Sequence, residues 1–237
     1  MPRCQVTLTA NAGVLIECSG IKVCCDAFHD DKAVEFSTVT PEMEQHLLQS
    51  PAFQNPDIIF YTHDHRDHYT LPAAERAHRL WPGALMVSPM QALNNSLLLH
   101  EDSHRLTIGR AEFWFKHLRH DGREYADLPN YGCLMNLDGF RVLLLGDCVI
   151  CNPVLTDWLG GTPIDLALLN FPWLTLERGR AFVADVIRPR HVMLYHLPFA
   201  ADDIGGYRAA VAQSLPPVAT PQDIRVLQEP FQVEAVD

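Results

Sequence analysis

The chain has 237 residues with 18 basic against 29 acidic side chains, a net charge of −11 that disfavours gripping extended nucleic acid through the general surface. Hydrophobic residues make up 48% and charged residues 20%, ordinary for a globular chain with a sizeable core, and no run of about 18 apolar residues could span a bilayer. Seven cysteines form no regular framework, so reduced thiols in a cytoplasmic protein are expected.

Gln5, Thr7, Thr9 and Asn11 alternate with apolar residues after a lone Arg3, which is strand patterning and not a signal peptide. Val6 to Thr9, Val14 to Cys18 and Ile21 to Asp26 are predicted strands, the last two joined at Ser19-Gly20. Asp26 closes the third strand; a plain turn-capping role is the bland alternative. Cys24 and Cys25 are adjacent in a strand, so they face opposite ways and suit the core better than a shared metal. His29 opens a loop to Thr40 and is read as exposed, with substrate contact as the sharper alternative. Thr40-Pro41-Glu42 predicts an N-cap and a helix to Leu48.

The apolar run Asp57 to Tyr61 predicts a buried strand and delivers Thr62-His63-Asp64-His65-Arg66-Asp67-His68. In an extended segment His63, His65 and Asp67 share a face, and a tight turn is needed to return His68 to it. Such convergence of imidazoles and a carboxylate points to metal ligation, with room for more than one ion. A zinc-protease helix is excluded, because no Glu separates two His at i and i+4.

Further on, helices are predicted from Leu71 to Leu80 and from Ser88-Pro89 towards Leu99, with a strand at Ala84 to Val87 between them. Leu106–Ile108 and Ala111–Leu118 predict a hairpin ending at His117-Leu118-Arg119-His120, and Cys133–Leu137 and Phe140–Leu145 a second hairpin around Asp138-Gly139. The latter ends in Gly146-Asp147, followed by Cys148-x-x-Cys151, a thiol pair with no second pair to complete a zinc site. The last third predicts a strand at Ile164–Leu169, a helix at Leu176–Ile187, a strand at His191–Tyr195 closing in His196, a helix at Ala201–Leu215 stopped by Pro216-Pro217, and a final strand at Ile224–Leu227.

His63-x-His65-x-Asp67-His68 after a hydrophobic strand resembles the signature of the metallo-β-lactamase fold superfamily. The resemblance covers nearly the whole chain and implies an α/β, four-layer αββα sandwich forming one domain over residues 1–237. It implies that Asp26 supports the ligands from behind. It further implies that His63, His65 and His120 hold one metal, that Asp67, His68 and His196 hold a second, and that Asp147 bridges the two. His117 competes with His120 but sits inside the strand pattern. The implied cofactor is two divalent ions, zinc before manganese or iron. Two metals about 3.5–4 Å apart bring a shared water's pKa to about 7, which yields hydroxide for hydrolysis. Asp67 is the residue expected to orient that nucleophile, and His29 and Tyr131 are candidates for substrate contact.

The Thr-Pro-Gly-His-Thr phrase of the thiolesterase-like and sulfur-oxidising branches is absent. The spacing is closer to the nuclease-like and lactonase-like branches, so the preferred substrate is a small, anionic phosphodiester, with a lactone or sugar-phosphate lactone next. A diiron oxidoreductase, for which the length leaves no flavin domain, and a non-catalytic metal-binding module are the readings from other classes. A homo-oligomer is compatible with all of them.

Overall fold

In the computed structural model, residues 3–90, 96–215 and 223–237 are described. Three strands at the start, β1 (Cys4–Leu8), β2 (Val14–Cys18) and β3 (Ile21–Cys25), form an antiparallel meander. The Ser19-Gly20 turn has φ of +53° and +80°, the backbone that matches the twist of a two-residue hairpin. From β3 the chain crosses over through α1 (Pro41–Gln49) to β4 (Ile58–Phe60), and through α2 (Leu71–Leu80) to β5 (Leu85–Ser88), with β6 (Ser96–Leu98) beside it. These last pairings are parallel.

The second sheet begins with the hairpins β7 (Ser103–Ile108) with β8 (Ala111–His117) and β9 (Tyr131–Leu137) with β10 (Phe140–Leu144). It continues in parallel through β11 (Leu166–Asn170), β12 (His191–Tyr195) and β13 (Asp223–Val226). β14 (Val233–Val236) then returns to the first sheet and pairs antiparallel with β1. The sheet orders are β14-β1-β2-β3-β4-β5-β6 and β13-β12-β11-β10-β9-β8-β7.

Three apolar clusters define the layers. Val6, Ile16, Phe60, Phe113, Phe115, Met135, Leu168 and Met193 fill the space between the sheets. Leu15, Cys24, Ile59 and Tyr61 pack outward on Leu47 of α1 and Ala73, Ala74 and Ala77 of α2. On the other side Leu143, Ala167, Leu169 and Leu194 meet α3 (Val154–Leu159), α4 (Pro172–Thr175), α5 (Glu177–Phe182) and α6 (Tyr207–Ser214). The architecture is therefore the predicted αββα sandwich. Cys24 lies in the outer cluster and Cys25 between the sheets, as strand alternation requires.

Several element predictions need correction. Of the helix from Ser88-Pro89 towards Leu99, residues 91–95 lie outside the described residues, and Ser96–Leu98 is a strand because it adds to the β5 edge. The helix expected over Leu176–Ile187 is instead α5 followed by a π-helical turn at Val183–Ile187, a form that interrupts α-helices one turn at a time. That over Ala201–Leu215 begins only at Tyr207, where both carboxylate oxygens of Asp203 accept the first backbone N–H groups, from Tyr207 at 2.8 Å and Arg208 at 3.1 Å. Pro216-Pro217 lies outside the described residues. The strand β14 was not expected at all.

Candidate metal centre

The ends of β3, β4, β10 and β12 meet at one edge of the sandwich, and each hands a loop to the site. After β4 the chain turns on itself: the N–H groups of His68 and Tyr69 both donate to the carbonyl of His65, at 2.9 and 2.8 Å. This turn brings His68 back beside His63. Asp26 and His196, closing β3 and β12, take left-handed φ of +49° and +61°, uncommon for residues with side chains and characteristic of sites held by their surroundings.

His63, His65, His120 and Asp147 form one cluster, and Asp67, His68 and His196 a second; within each, the donor atoms lie within 4.8 Å of one another. Asp147 stands between them. Its Oδ2 is 3.9 Å from Nε2 of both His63 and His120 and 3.4 Å from Nε2 of His68, while Oδ1 is 3.4 Å from His196 Nε2. Asp67 Oδ2 lies 3.5 Å from His196 Nε2 and 3.8 Å from His68 Nε2.

Asp26, fully buried, explains the aim of the rings. It accepts from the Thr62 N–H at 2.8 Å, the Thr62 hydroxyl at 2.7 Å and His68 Nδ1 at 2.9 Å. Having given its hydroxyl proton to Asp26, Thr62 accepts from His63 Nδ1 at 2.9 Å. His120 Nδ1 donates to the carbonyl of Asp121. In all three rings Nδ1 is engaged and Nε2 is left facing inward, the arrangement that a group behind a histidine imposes on a metal ligand.

The inward atoms fit a cation. His68 Nε2 and His196 Nε2 stand 2.9 Å apart, and His63 Nε2 and His65 Nδ1 3.1 Å apart. His120 Nε2 is buried without any hydrogen-bond partner, an expensive state for a polar atom unless something binds it. Nitrogen donors with two carboxylates are the set that zinc, iron or manganese accept. Burial, reinforced by neighbouring His68, pushes His63 well below the usual histidine range, and burial with His120 lowers His65. Burial resists charging His68 and His196, yet the carboxylates, Asp147 foremost, outweigh it and raise both. Burial also opposes ionising Asp147, but His196 and His68 hold it well below the carboxylate range. Cation binding at His68 and His196 would therefore displace protons.

Residues without a sequence signal complete the surroundings. Asn11, in the β1–β2 turn, donates from Nδ2 to Asp67 Oδ2 at 2.9 Å, and its carbonyl accepts from His196 N–H at 3.1 Å. Asn170, at the end of β11, donates to Asp147 Oδ1 at 3.2 Å. Tyr125 sits edge-on to His65 and His120, with centroids at 4.6 and 5.2 Å, and is 42% exposed. Phe36 stands edge-on to His196 at 4.8 Å and stacks on Tyr207.

His29 is not exposed as expected: it is 1% accessible, with Nε2 3.4 Å from the Ala10 carbonyl and Nδ1 3.4 Å from the Thr38 hydroxyl. The Tyr131 hydroxyl donates to the Glu101 carbonyl at 2.6 Å, and its ring lies beside His117 and His104 and not beside a ring of the centre. His117, the competitor of His120, is exposed and belongs to neither cluster. Cys148 pairs through its backbone with His120, but burial pushes its thiol up to about 12. Cys151 donates to the Arg178 carbonyl at 3.3 Å, and all seven thiols are free. No helix among the described residues is long and apolar enough to cross a membrane.

No family profile and no curated protein matches the chain. Solved structures do. An isothiocyanate hydrolase from Delia radicum gut bacteria superposes with a TM-score of 0.69 at 16% identity, over 98% of each chain. A metallo-β-lactamase fold protein from Bacillus subtilis does so with a TM-score of 0.61 at 11% identity, over 98% of this chain and 99% of that one. The chain has the metallo-β-lactamase fold. The diiron β-hydroxylase CmlA from Streptomyces venezuelae shares this fold with a TM-score of 0.60 at 13% identity; all of the present chain is covered, but it spans only 55% of that protein.

Proposed function

We propose that the chain is a metal-dependent hydrolase with a two-ion centre formed by His63, His65, His120, Asp67, His68 and His196 around Asp147. The observation that carries this reading is the meeting of two donor clusters at one carboxylate. Divalent cations bound there supply Lewis acidity and a water acidified towards neutral pH. The chain's own part is to aim the nitrogen donors, through Asp26 and Thr62, and to fix Asp67 through Asn11 as the acceptor that orients an attacking water's proton.

For the substrate, a neutral carbon electrophile such as a lactone moves ahead of the small phosphodiester. The aromatic flanks at Tyr125 and Phe36 suit an apolar body next to the reacting group. A second reading, an oxidative diiron centre, is supported by the likeness to a diiron hydroxylase.

Metal content of the purified protein and turnover of a lactone panel and of bis(p-nitrophenyl) phosphate, for wild type and Asp147→Ala, test the proposal. Close to two ions per chain and lactone turnover lost in the variant is the expected result. Turnover of the diester alone restores the phosphodiester reading. Iron as the dominant metal, with dioxygen consumption in the presence of a reductant, moves the assignment to the oxidative reading. A folded protein that takes up no metal on reconstitution overturns all three.

A further inference from the structure

One cavity lies apart from the metal centre and contains none of its residues. It is a groove of about 810 Å³ on the outer face of the second sheet, lined by residues of β7 to β10 and of α3. Its floor carries Arg105, Trp114 and Lys116 from this hairpin and Arg141 from β10, and its wall carries Asp157 and Trp158 from α3. The volume falls within the range of small-molecule pockets.

Most of the groove's donors are unspent. Lys116 is paired with Asp102. Arg105 lies over the Trp114 ring, 5.9 Å from its centroid, and forms no hydrogen bond or ion pair with a described residue. Neither the half-buried Arg141 guanidinium nor the indole N–H of Trp114 or Trp158 has a partner among the described residues, although the chain carries 11 more acidic than basic side chains. Lys116 and Asp102 offset one another, and Asp157 opposes Arg105 and Arg141, so the groove keeps one net positive charge. Flat indole surfaces, guanidinium forks and unused N–H donors together match a flat ring bearing an acceptor-rich anionic group.

We propose that this groove is a second ligand site, distinct from the metal centre, for a planar aromatic anion: the ring packs against Trp114 and Trp158, and its carboxylate, sulfonate or phosphate is met by Arg141 and Arg105. Naphthalene-2-sulfonate is the probe, titrated by calorimetry into the metal-loaded full chain, with neutral 2-naphthol as the comparison. Saturable one-to-one binding of the sulfonate is expected, weakened at least tenfold by Arg141→Gln and by Trp158→Leu, and at least tenfold tighter than binding of 2-naphthol. Asp157→Asn, which removes the opposing charge, is expected to strengthen it. Unchanged sulfonate binding in both Arg141→Gln and Trp158→Leu would place the probe elsewhere and overturn the site. Equal affinity for 2-naphthol overturns the role of the cations, and so does no response to Asp157→Asn and Arg141→Gln together. Both arginine and tryptophan positions are partly exposed, and the thermal midpoint of each variant separates lost binding from lost folding.

Discussion

Asn11 shows how much of the centre hangs on a residue that is not itself a donor. One amide fixes Asp67, and the same residue's carbonyl fixes the backbone of His196, so a single turn residue sets two members of one cluster. Its φ of +50° makes Asn11→Gly the clean test, since glycine keeps the backbone and removes only the side chain. We expect the Asp67–His68–His196 cluster to lose metal affinity by roughly 10- to 100-fold, seen as metal content falling towards one ion per chain. His29 makes a second prediction. Burial lowers it from 6.5 to about 4, so the folded protein binds fewer protons than the unfolded chain near pH 5. The stability tied to neutral His29 is present in full above about pH 6.5 and is lost as pH falls towards 4, by about 3 kcal/mol in all. Urea midpoints at pH 7.5 and 5 should converge in His29→Gln relative to wild type; the same pH slope in both would remove His29 as the cause.

At the scale of elements, the site depends on strand ends that stop where the backbone must bend sharply. Gly146, between β10 and Asp147, has φ of +56°, and a Cβ there would meet Asn130 Oδ1 at 2.4 Å and Thr62 Cβ at 3.0 Å. Gly146→Ala should cost roughly 1–3 kcal/mol and displace Asp147 from its place between the two clusters. Thermal melting combined with metal content checks both effects, and a variant with full stability and full metal would show that the close approach is not needed. The two-residue turns at Ser19-Gly20 and Asp138-Gly139 were legible in the sequence because their left-handed backbone selects specific residue types. The delayed start of α6 was not. It depends on Asp203 competing for the first N–H groups against a helical pattern that extends further back.

Over the whole molecule, the centre joins the two sheets. Asp26 and the His63–His68 segment come from the first sheet, and His120, Asp147 and His196 from the second. An ion held between them binds only the folded chain and so stabilises it by mass action, by about 2.7 kcal/mol per site at a hundredfold excess over Kd. At 237 residues this is about 2–4 °C per kcal/mol, so chelation should lower Tm by about 5–10 °C for one site, and metal should restore it. An unchanged Tm with demonstrated metal loss would mean that the sheets are held by their shared core alone.

The sequence by itself determined what local chemistry can encode. The His63–His68 spacing, apolar strands ending in Asp26, Asp147 and His196, and the hairpin turns are short-range patterns whose meaning survives without knowing their neighbours. Only the tertiary structure decided which side chains share a volume. It buried His29, turned the Tyr131 hydroxyl to the Glu101 carbonyl, brought Tyr125 against His65 and His120, and set Asn11 and Asn170 on the carboxylates. The physical reason is separation along the chain: Asn11 and Asp67 are 56 residues apart, Asn170 and Asp147 23. Neither contact leaves a trace in local periodicity, because each exists only once strands distant in the chain have assembled into one sheet.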